Sequence, residues 1–258
     1  MDQDYHDFII NIHNVTGINL SLYKETQMKR RLTTLRNKHG FVTFSDFFIA
    51  IKERPVLFDE FLERMTINVS EFYRNPNRWN VLQRKILPRL VKETNSLKVW
   101  SAACSSGEEP YTLALMLSDF VRLREKMILA TDIDEQIMER AKNGFYLERS
   151  VQQVPEQKLK TYFQREALGY RINDEVKKSI AFKKQNLLAD RFETGFDLIV
   201  CRNVMIYFTE EAKHELYQKF SQALRPGGIL FVGSTEQIFQ AKQYQLEADE
   251  TFFYRKMS

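Results

Sequence analysis

The chain has 258 residues, 43% of them hydrophobic, which is enough apolar material for one large domain or two smaller ones. A formal net charge of +4 is too small for a protein that binds nucleic acid through bulk charge. No stretch approaches the roughly 18 apolar residues of a membrane span, and the N-terminus MDQDYHDFII has acids where a secretion signal has bases. We therefore expect a cytoplasmic protein that does not insert into the membrane.

Cysteine and histidine usage indicates neither a disulfide framework nor a metal centre. The only cysteines, Cys104 and Cys201, lie in apolar strand contexts, so both are predicted to be free thiols. Histidines occur without metal-ligand spacing at His6, His13, His39 and His214. We expect no metal site.

The first part of the chain has a helical pattern. Apolar residues recur at three- and four-residue spacing in FIINIHNVTGI, MKRRLTTL and FSDFFIAIKE, and Gly17, Gly40 and Pro55 separate these segments. No alternating strand pattern precedes residue 97. The sequence predicts a small helical N-terminal domain over residues 1–70, followed by a second domain over 71–258.

One helical segment of the N-terminal domain is strongly basic. The stretch YKETQMKRRLTTLRNKHG has Glu25 as its only acid, so it produces a local positive field that suits an acidic partner. Its cations are Lys24, Lys29, Arg30, Arg31, Arg36 and Lys38. The alternative is a solvated helix face.

After Pro88, strands and helices alternate. LKVWSAA, KMILATDI, FDLIVCRNV and GGILFVGS read as strands, and EPYTLALMLSDFV, DEQIMERAKNG and TEEAKHELYQKFSQAL read as helices. This alternation predicts an α/β fold, a parallel sheet with helices on both faces. The last segment, TFFYRK, is predicted to be an antiparallel strand at the edge of the sheet. Residues 145–180 interrupt the alternation with one short helix and two short strands around Gly169, which predicts a small inserted β-subdomain.

The segment VWSAACSSGEEPY indicates a ligand site. A buried strand, small residues and Gly107 allow the backbone to approach a ligand, but two carboxylates, Glu108 and Glu109, would repel a phosphate. Asp132 ends the next strand, from which a carboxylate can accept hydrogen bonds from ribose hydroxyls. A nucleoside with a cationic amino-acid tail, S-adenosylmethionine, has the matching features.

Each of these acids also has a purely structural alternative. Glu108 and Glu109 could stabilise a helix N-terminus, and Asp132 or Asp134 could cap the next helix. For Asp134 we prefer the capping role.

Five segments in order and spacing carry a family resemblance: MTINVSEFYRN, WSAACSSGEEPYTLA, TDID, NLL and FDLIVCRNVMIYF. Over nearly the whole chain they resemble the chemotaxis receptor methyltransferases known as CheR. The resemblance implies a Rossmann-like S-adenosylmethionine methyltransferase sheet and the transfer of methyl groups to glutamate side chains of membrane chemoreceptors. S-adenosylhomocysteine would be the product.

The resemblance also implies roles for individual residues. Glu109 would hold the ammonium group of the cofactor, Asp132 its ribose, and Asn186 with Leu187 its adenine. The other residues implied at the cofactor site are Asn68, Ser70, Arg74, Arg202 and Asn203. The alternatives are a turn residue for Asn186 and a surface ion pair for Arg202.

The expected reaction needs no general base, because a glutamate carboxylate with a pKa near 4.3 is already ionised at neutral pH. Arg74 and Tyr207 are the candidates for orienting it, with plain core packing as the alternative for Tyr207. Since the methylation region of the receptors is rich in glutamate, the resemblance makes Lys29, Arg30, Arg31 and Arg36 candidate substrate-binding residues. We expect a monomer whose partner is this receptor region.

Two other functions compete with this one. An RNA methyltransferase would explain the cofactor motifs and the basic segment, but the chain has no Asn/Asp-Pro-Pro-aromatic motif and no cysteine in a Pro-Cys setting. A non-catalytic S-adenosylmethionine-binding module that docks on receptors is the other alternative.

The inserted subdomain leads to a further expectation. Some members of the resembling family use it to hold a receptor tail peptide and have a longer glycine-containing loop between its strands. Here the connection QREALGYRI is short. We therefore expect no tail peptide to bind.

Overall fold

The computed structural model describes residues 3–66, 68–94 and 96–258. The helices are α1 (Gln3–Thr16), α2 (Glu25–Lys38), α3 (Phe44–Glu53), α4 (Pro55–Met65), α5 (Pro76–Val81), α6 (Leu87–Glu93), α7 (Glu108–Leu117), α8 (Glu135–Asn143), α9 (Glu156–Tyr162), α10 (Asp174–Lys178) and α11 (Glu210–Ala223). The strands are β1 (Val99–Ala102), β2 (Ile128–Asp132), β3 (Phe145–Leu147), β4 (Phe163–Glu166), β5 (Gly169–Ile172), β6 (Ile180–Lys184), β7 (Phe196–Cys201), β8 (Leu224–Val232), β9 (Leu246–Glu250) and β10 (Phe253–Lys256).

Helices α1 to α4 form the predicted helical unit around its own apolar core. The ring of Phe8 packs on Phe44, Phe47 and Phe61, with centroids 5.0 to 6.3 Å apart. The carboxylate of Asp4 in the first turn of α1 accepts hydrogen bonds from the first backbone amides of α3. Those amides have no partner within the helix, so this contact fixes α1 against α3.

A wider turn interrupts the long helix that leads to the sheet. Between α5 and α6, residues Leu82–Ile86 form a π-helical turn, and Pro88 follows it. A proline cannot donate a backbone hydrogen bond, and its ring crowds the carbonyl four residues earlier, so a wider turn accommodates it. The extra residue leaves both Trp79 and Leu90 buried in the same core.

The seven-stranded sheet has the order β6-β2-β1-β7-β8-β10-β9. Strands β6, β2, β1, β7 and β8 run parallel to one another, and β10 is antiparallel to both β8 and β9. Along β1, Val99 and Trp100 belong to two different apolar clusters, one on each face. The predicted α/β fold with both faces covered is confirmed.

Two details of the sheet differ from the sequence prediction. The last strand, β10, does not form the edge, because β9 lies outside it. The sequence analysis did not identify β9 or the opposite edge strand β6. Each has charged residues in its second half, lysines in β6 and acids in β9, as exposed edge strands often do.

The inserted subdomain is a three-stranded antiparallel sheet in the order β3-β5-β4. The sequence predicted two of these strands and missed β3. Tyr146 of β3 anchors the subdomain, since its hydroxyl donates to the carbonyl of Ser106 at 2.7 Å and its ring packs edge-on against Phe72. The subdomain is thereby tied to the loop that precedes α7.

The helical unit joins the sheet through a short pairing of two loops. Tyr23 forms an antiparallel bridge with Phe208, the amide of Lys24 donates to the carbonyl of Tyr207 at 2.9 Å, and the amide of Thr209 donates to Leu22 at 2.9 Å. The segment before α2 is therefore fixed to the loop that follows β7. Within the described ranges, no helix is long and apolar enough to span a bilayer.

We expect Gly169→Ala to destabilise the inserted subdomain. A Cβ at this position would lie 2.1 Å from the carbonyl oxygen of Tyr146, which is backbone and cannot move aside. The variant should lose about 1–3 kcal/mol of unfolding free energy, measured by denaturant titration. Leu168→Ala, one residue earlier and 76% exposed, is the control and should change stability by less than about 0.5 kcal/mol. Equal stability of the two variants would contradict the close approach.

Candidate cofactor site

A crevice lies where the order of the sheet reverses, between the carboxyl ends of β1 and β7. In doubly wound sheets this position separates the helices of the two faces and leaves room for a ligand. The helical unit covers one side with Tyr23, Met65 and Thr66. Every sequence-predicted cofactor residue and Tyr207 line this crevice: Asn68, Ser70, Arg74, Glu109, Asp132, Asn186, Leu187, Arg202, Asn203 and Tyr207.

The turn after β1 separates the two adjacent glutamates. Gly107 has φ +94°, and a Cβ there would lie 2.8 Å from the Cβ of Ala141, so only glycine fits without a shift. Glu108 is buried and accepts a hydrogen bond from the hydroxyl of Ser106 at 2.6 Å. Glu109 lines the crevice instead. Of the acidic pair, Glu109 is thus the one available to a ligand.

Glu109 is a largely buried carboxyl, with 13% of its side chain exposed, and it has few partners. It accepts a hydrogen bond from the hydroxyl of Ser101 at 2.9 Å and lies 3.7 Å from a guanidinium nitrogen of Arg202. Burial raises the pKa of Glu109 to about 7, although Arg202 and Ser101 act in the opposite direction. A cation placed beside it would favour the ionised form.

Arg202 is a buried cation and not a member of a surface ion pair. Its side chain is 3% exposed, and its guanidinium lies 5.0 Å from the ring centroid of Trp79 and 4.9 Å from that of Phe231. It donates to the carbonyl of Arg74 at 2.7 Å. Its Nε is buried without a hydrogen-bond partner. Burial lowers the pKa of Arg202, and Glu109 opposes this effect.

Asp132 lies at the end of β2, as predicted. It accepts hydrogen bonds from the amide of Ser105 at 2.8 Å and from the amide of Asp134 at 3.1 Å. Burial raises its pKa to about 6, while the backbone hydrogen bonds lower it. Burial also raises the pKa of the Tyr23 phenol, with a smaller contribution from Asp132, so the helical unit places a hydroxyl near this carboxylate. The preferred capping role of Asp134 is confirmed, because its carboxylate accepts from Gln136 and Ile137.

Asn68 ties three loops of the crevice together. Its side-chain nitrogen donates to the hydroxyl of Thr66 at 3.1 Å and to the carboxylate of Asp134 at 3.2 Å. Its side-chain oxygen accepts from the hydroxyl of Ser105 at 3.1 Å. Arg74 donates to the carbonyl of Val69 at 2.9 Å, so the loop that leads to α5 closes on itself. This loop forms one wall of the crevice.

Asn186 is both a turn residue and a lining residue. Its side-chain oxygen accepts from the backbone amide of Leu188 at 3.0 Å, and its backbone amide donates to the carboxylate of Asp190 at 2.8 Å. Lys219 donates to the carbonyl of Leu187 at 2.7 Å and fixes the same turn from α11. Asn186 is thus the turn residue of the structural alternative and also lines the crevice, and its contact with adenine stays a prediction.

The sequence analysis did not identify Glu236, which holds the loop after β7. Its carboxylate accepts from the amides of Asn203 at 2.7 Å, Gly233 at 2.8 Å and Ile206 at 3.2 Å. Asn203 has φ +61°, and these hydrogen bonds help to hold it in that conformation. A Cβ on Gly233 would lie 2.3 Å from the Glu236 carboxylate. The one sequence signal was an acid just after the last parallel strand.

The four cations predicted to bind substrate do not share one surface. Arg31 lies over the ring of Tyr207 at 4.7 Å, Lys29 over Tyr5 at 5.2 Å, and Arg36 over Phe44 at 4.7 Å. Arg30 is exposed. Of the four, Arg31 is the one placed against a residue of the crevice.

Comparison with known proteins decides the family. The description "CheR methyltransferase, all-alpha domain" matches residues 3–66, and "CheR methyltransferase, SAM binding domain" matches residues 68–253. The chain belongs to the CheR methyltransferase family. A chemotaxis protein methyltransferase of Listeria monocytogenes is 48% identical over 99% of this chain and 98% of its own length. One from Borreliella burgdorferi is 35% identical over 88% of this chain and 85% of its own length.

Membership makes S-adenosylmethionine the cofactor, and the crevice fits it. The buried Glu109 matches its ammonium group, the unpartnered Nε of Arg202 can donate to a carboxylate, and Asp132 can accept from ribose hydroxyls. The protein is therefore a methyltransferase, and the names of its relatives connect it with chemotaxis. Bound in this crevice, the cofactor supplies an electrophilic methyl group on a sulfonium.

We expect cofactor binding to weaken as the pH falls. A pKa of about 7 leaves Glu109 largely ionised at pH 8 and about nine-tenths protonated at pH 6, where it no longer attracts an ammonium group. Asp132, with a pKa of about 6, adds to the loss below that pH. Calorimetry with S-adenosylhomocysteine should show about tenfold weaker binding at pH 6 than at pH 8, with proton release.

The control for this titration is Glu109→Gln, which should bind more weakly and lose most of the pH dependence above pH 6. An affinity of the parent protein that stays constant from pH 6 to pH 8 would contradict the assignment of Glu109.

Glu236→Gln should loosen the loop after β7. In the parent, Oε2 accepts from the amides of Asn203 and Gly233 and Oε1 accepts from that of Ile206. Glutamine has only one acceptor oxygen, so at least one of these backbone amides loses its partner, at a cost of about 1–3 kcal/mol in unfolding free energy. Affinity for S-adenosylhomocysteine should fall as well, because Asn203 lines the crevice. Thr235→Ala, at the exposed neighbouring position, should leave both quantities unchanged. Parent-like stability of Glu236→Gln would refute the holding role.

Proposed function

We propose that the protein transfers a methyl group from S-adenosylmethionine to glutamate side chains of chemoreceptors in the cytoplasm and forms glutamyl methyl esters. One observation carries the proposal: Arg31, from the basic helix α2, lies over Tyr207, which lines the cofactor crevice. One cation of the helix suited to an acidic partner is thus placed against the crevice. The family match and the relatives named chemotaxis protein methyltransferases support the same conclusion.

Positive charge surrounds the Tyr207 end of the crevice. Burial lowers the pKa of Arg31, Tyr207 raises it, and the like charges of Arg30 and Arg64 lower it further. An incoming carboxylate would relieve this repulsion between neighbouring cations. The sequence analysis did not include Arg64, which lies in the last turn of α4.

The acceptor enters the reaction as a carboxylate and needs no base. Its oxygen attacks the methyl carbon, a new C–O bond forms as the C–S bond breaks, and the electron pair of that bond remains on sulfur. We propose that Arg74 and Tyr207 orient the carboxylate, so that positioning and exclusion of water supply the acceleration. The hydrogen bond from Arg74 to the carbonyl of Val69 within loop 68–74 and the pairing of Tyr23 with Phe208 support such positioning.

Receptor recognition and methyl transfer would be assigned to successive parts of the chain. Residues 1–70 would recognise the receptor and residues 71–258 would bind the cofactor and carry out the transfer, although Tyr23 shows that the first part also contributes to the crevice. We keep the expectation of a monomer and of no binding to a receptor tail peptide at the inserted subdomain.

Labelled cofactor tests the acceptor class. The protein is incubated with methyl-labelled S-adenosylmethionine and either receptor membranes or cellular RNA. We expect label in the receptor that alkali releases as methanol, because esters hydrolyse under these conditions and N-methyl groups do not. Label in RNA, or alkali-stable label in protein, would refute glutamate esterification. Cofactor binding without any transfer would indicate a non-catalytic module.

Arg31→Ala should reduce receptor methylation about tenfold or more, because a cation beside Tyr207 is lost, and should leave the affinity for S-adenosylhomocysteine within about twofold. Arg31→Lys keeps the charge and should recover part of the rate. Lys52→Ala, an exposed cation of α3, is the control for loss of charge and should behave like the parent. A rate for Arg31→Ala equal to that of the Lys52→Ala control would exclude Arg31 from substrate binding.

A further inference from the structure

Gln185 lies in the crevice at a position that the sequence analysis did not single out. Its backbone amide donates to the carbonyl of Asp132 at 2.8 Å, so it directly neighbours the carboxylate expected to bind ribose. It lines the crevice together with Ile133 and Leu187, and 4% of it is exposed. A polar side chain with so little exposure normally has all its hydrogen bonds made.

The side-chain oxygen of Gln185 has no such partner. Among the described residues, two buried side-chain polar atoms lack one: Gln185 Oε1 and Arg202 Nε. Both residues line the same crevice. The two unpaired atoms differ in kind, since Oε1 is an acceptor and Nε is a donor. An unpaired buried acceptor is costly, and a ligand that supplies a donor would remove the cost.

The orientation of the carboxamide follows from its other contact. Gln185 Nε2 donates to the carbonyl of Arg191 at 3.1 Å. Exchanging the two ends would place the amide oxygen against that carbonyl oxygen, and two acceptors repel each other. The unpaired atom is therefore the acceptor.

We propose that Gln185 Oε1 accepts a hydrogen bond from the exocyclic amino group of the cofactor's adenine and so selects for a 6-aminopurine. The ring nitrogens on the edges of adenine are acceptors and cannot pair with an amide oxygen, whereas the amino group is a donor. The neighbouring Ile133 and Leu187 offer apolar surface suited to an aromatic ring. The inference concerns the cofactor alone and is independent of which molecule receives the methyl group.

Calorimetry with two ligands tests this contact. The ligands are S-adenosylhomocysteine and its analogue with hydrogen in place of the 6-amino group. The parent protein should bind the amino compound about three- to tenfold more tightly, which is the range for one hydrogen bond in a buried site. In Gln185→Met, which keeps the length of the side chain but has no carboxamide oxygen, the two ligands should bind equally.

Two control variants distinguish loss of 6-amino recognition from a general loss of cofactor binding. Gln237→Met, at an exposed glutamine outside the crevice, should discriminate like the parent. Asp132→Asn should weaken both ligands by the same factor. Equal binding of the two ligands by the parent would overturn the proposal even if Gln185→Met failed to fold. A Gln185→Met variant that still discriminates like the parent would also overturn it.

Discussion

The buried guanidinium of Arg202 organises the whole site. It lies at the carboxyl end of the central strand β7 and contacts the carbonyl of Arg74, the carboxylate of Glu109 and the rings of Trp79 and Phe231. A cation removed from water is tolerated only where such partners are present. Loop 68–74, helix α7 and helix α5 must therefore all approach the same point. Loop 68–74 and Glu109 of α7 also line the crevice.

Charges of both signs line the crevice. Burial raises the pKa of its carboxyl groups Glu109 and Asp132. The cations Arg74 and Arg202 line the same crevice, and Arg31 of the helical unit lies over Tyr207. A positively charged ligand gains from the acids, and a negatively charged one gains from the cations. Two reactants of opposite charge would thus each find oppositely charged groups before they react. The presence of both signs agrees with a cationic methyl donor and an anionic acceptor.

Site residues whose position follows from the adjacent strand or turn segment were predictable from the sequence. Gly107 and Glu109 follow a strand, and Asp132 ends one, so the apolar strand segments and the turn residues located them. Glu236 and Gln185 were missed because their roles depend on contacts between distant segments: Glu236 reaches the amide of Asn203 33 positions away. Edge strands β6 and β9 were missed because one exposed side weakens the apolar pattern. The family resemblance, and not periodicity, supplied Asn68 and Asn186.

The π-helical turn at Leu82–Ile86 constrains how the chain can change in length. Helix α6 is anchored by Leu87 and Leu90 in the core, and the π turn already takes up one extra residue, so removal of one residue would restore a regular α turn and keep α5 in phase with α6. A further inserted residue would instead rotate α5 by about 100° relative to α6. Trp79 would then leave the face of the Arg202 guanidinium, and its indole would no longer donate to the carbonyl of Arg74. A single deletion within this turn can therefore be absorbed, whereas a further insertion cannot. The length of the helical segment that leads to the sheet, which lies outside the crevice, thus determines whether the Arg202 guanidinium can pack on the ring of Trp79.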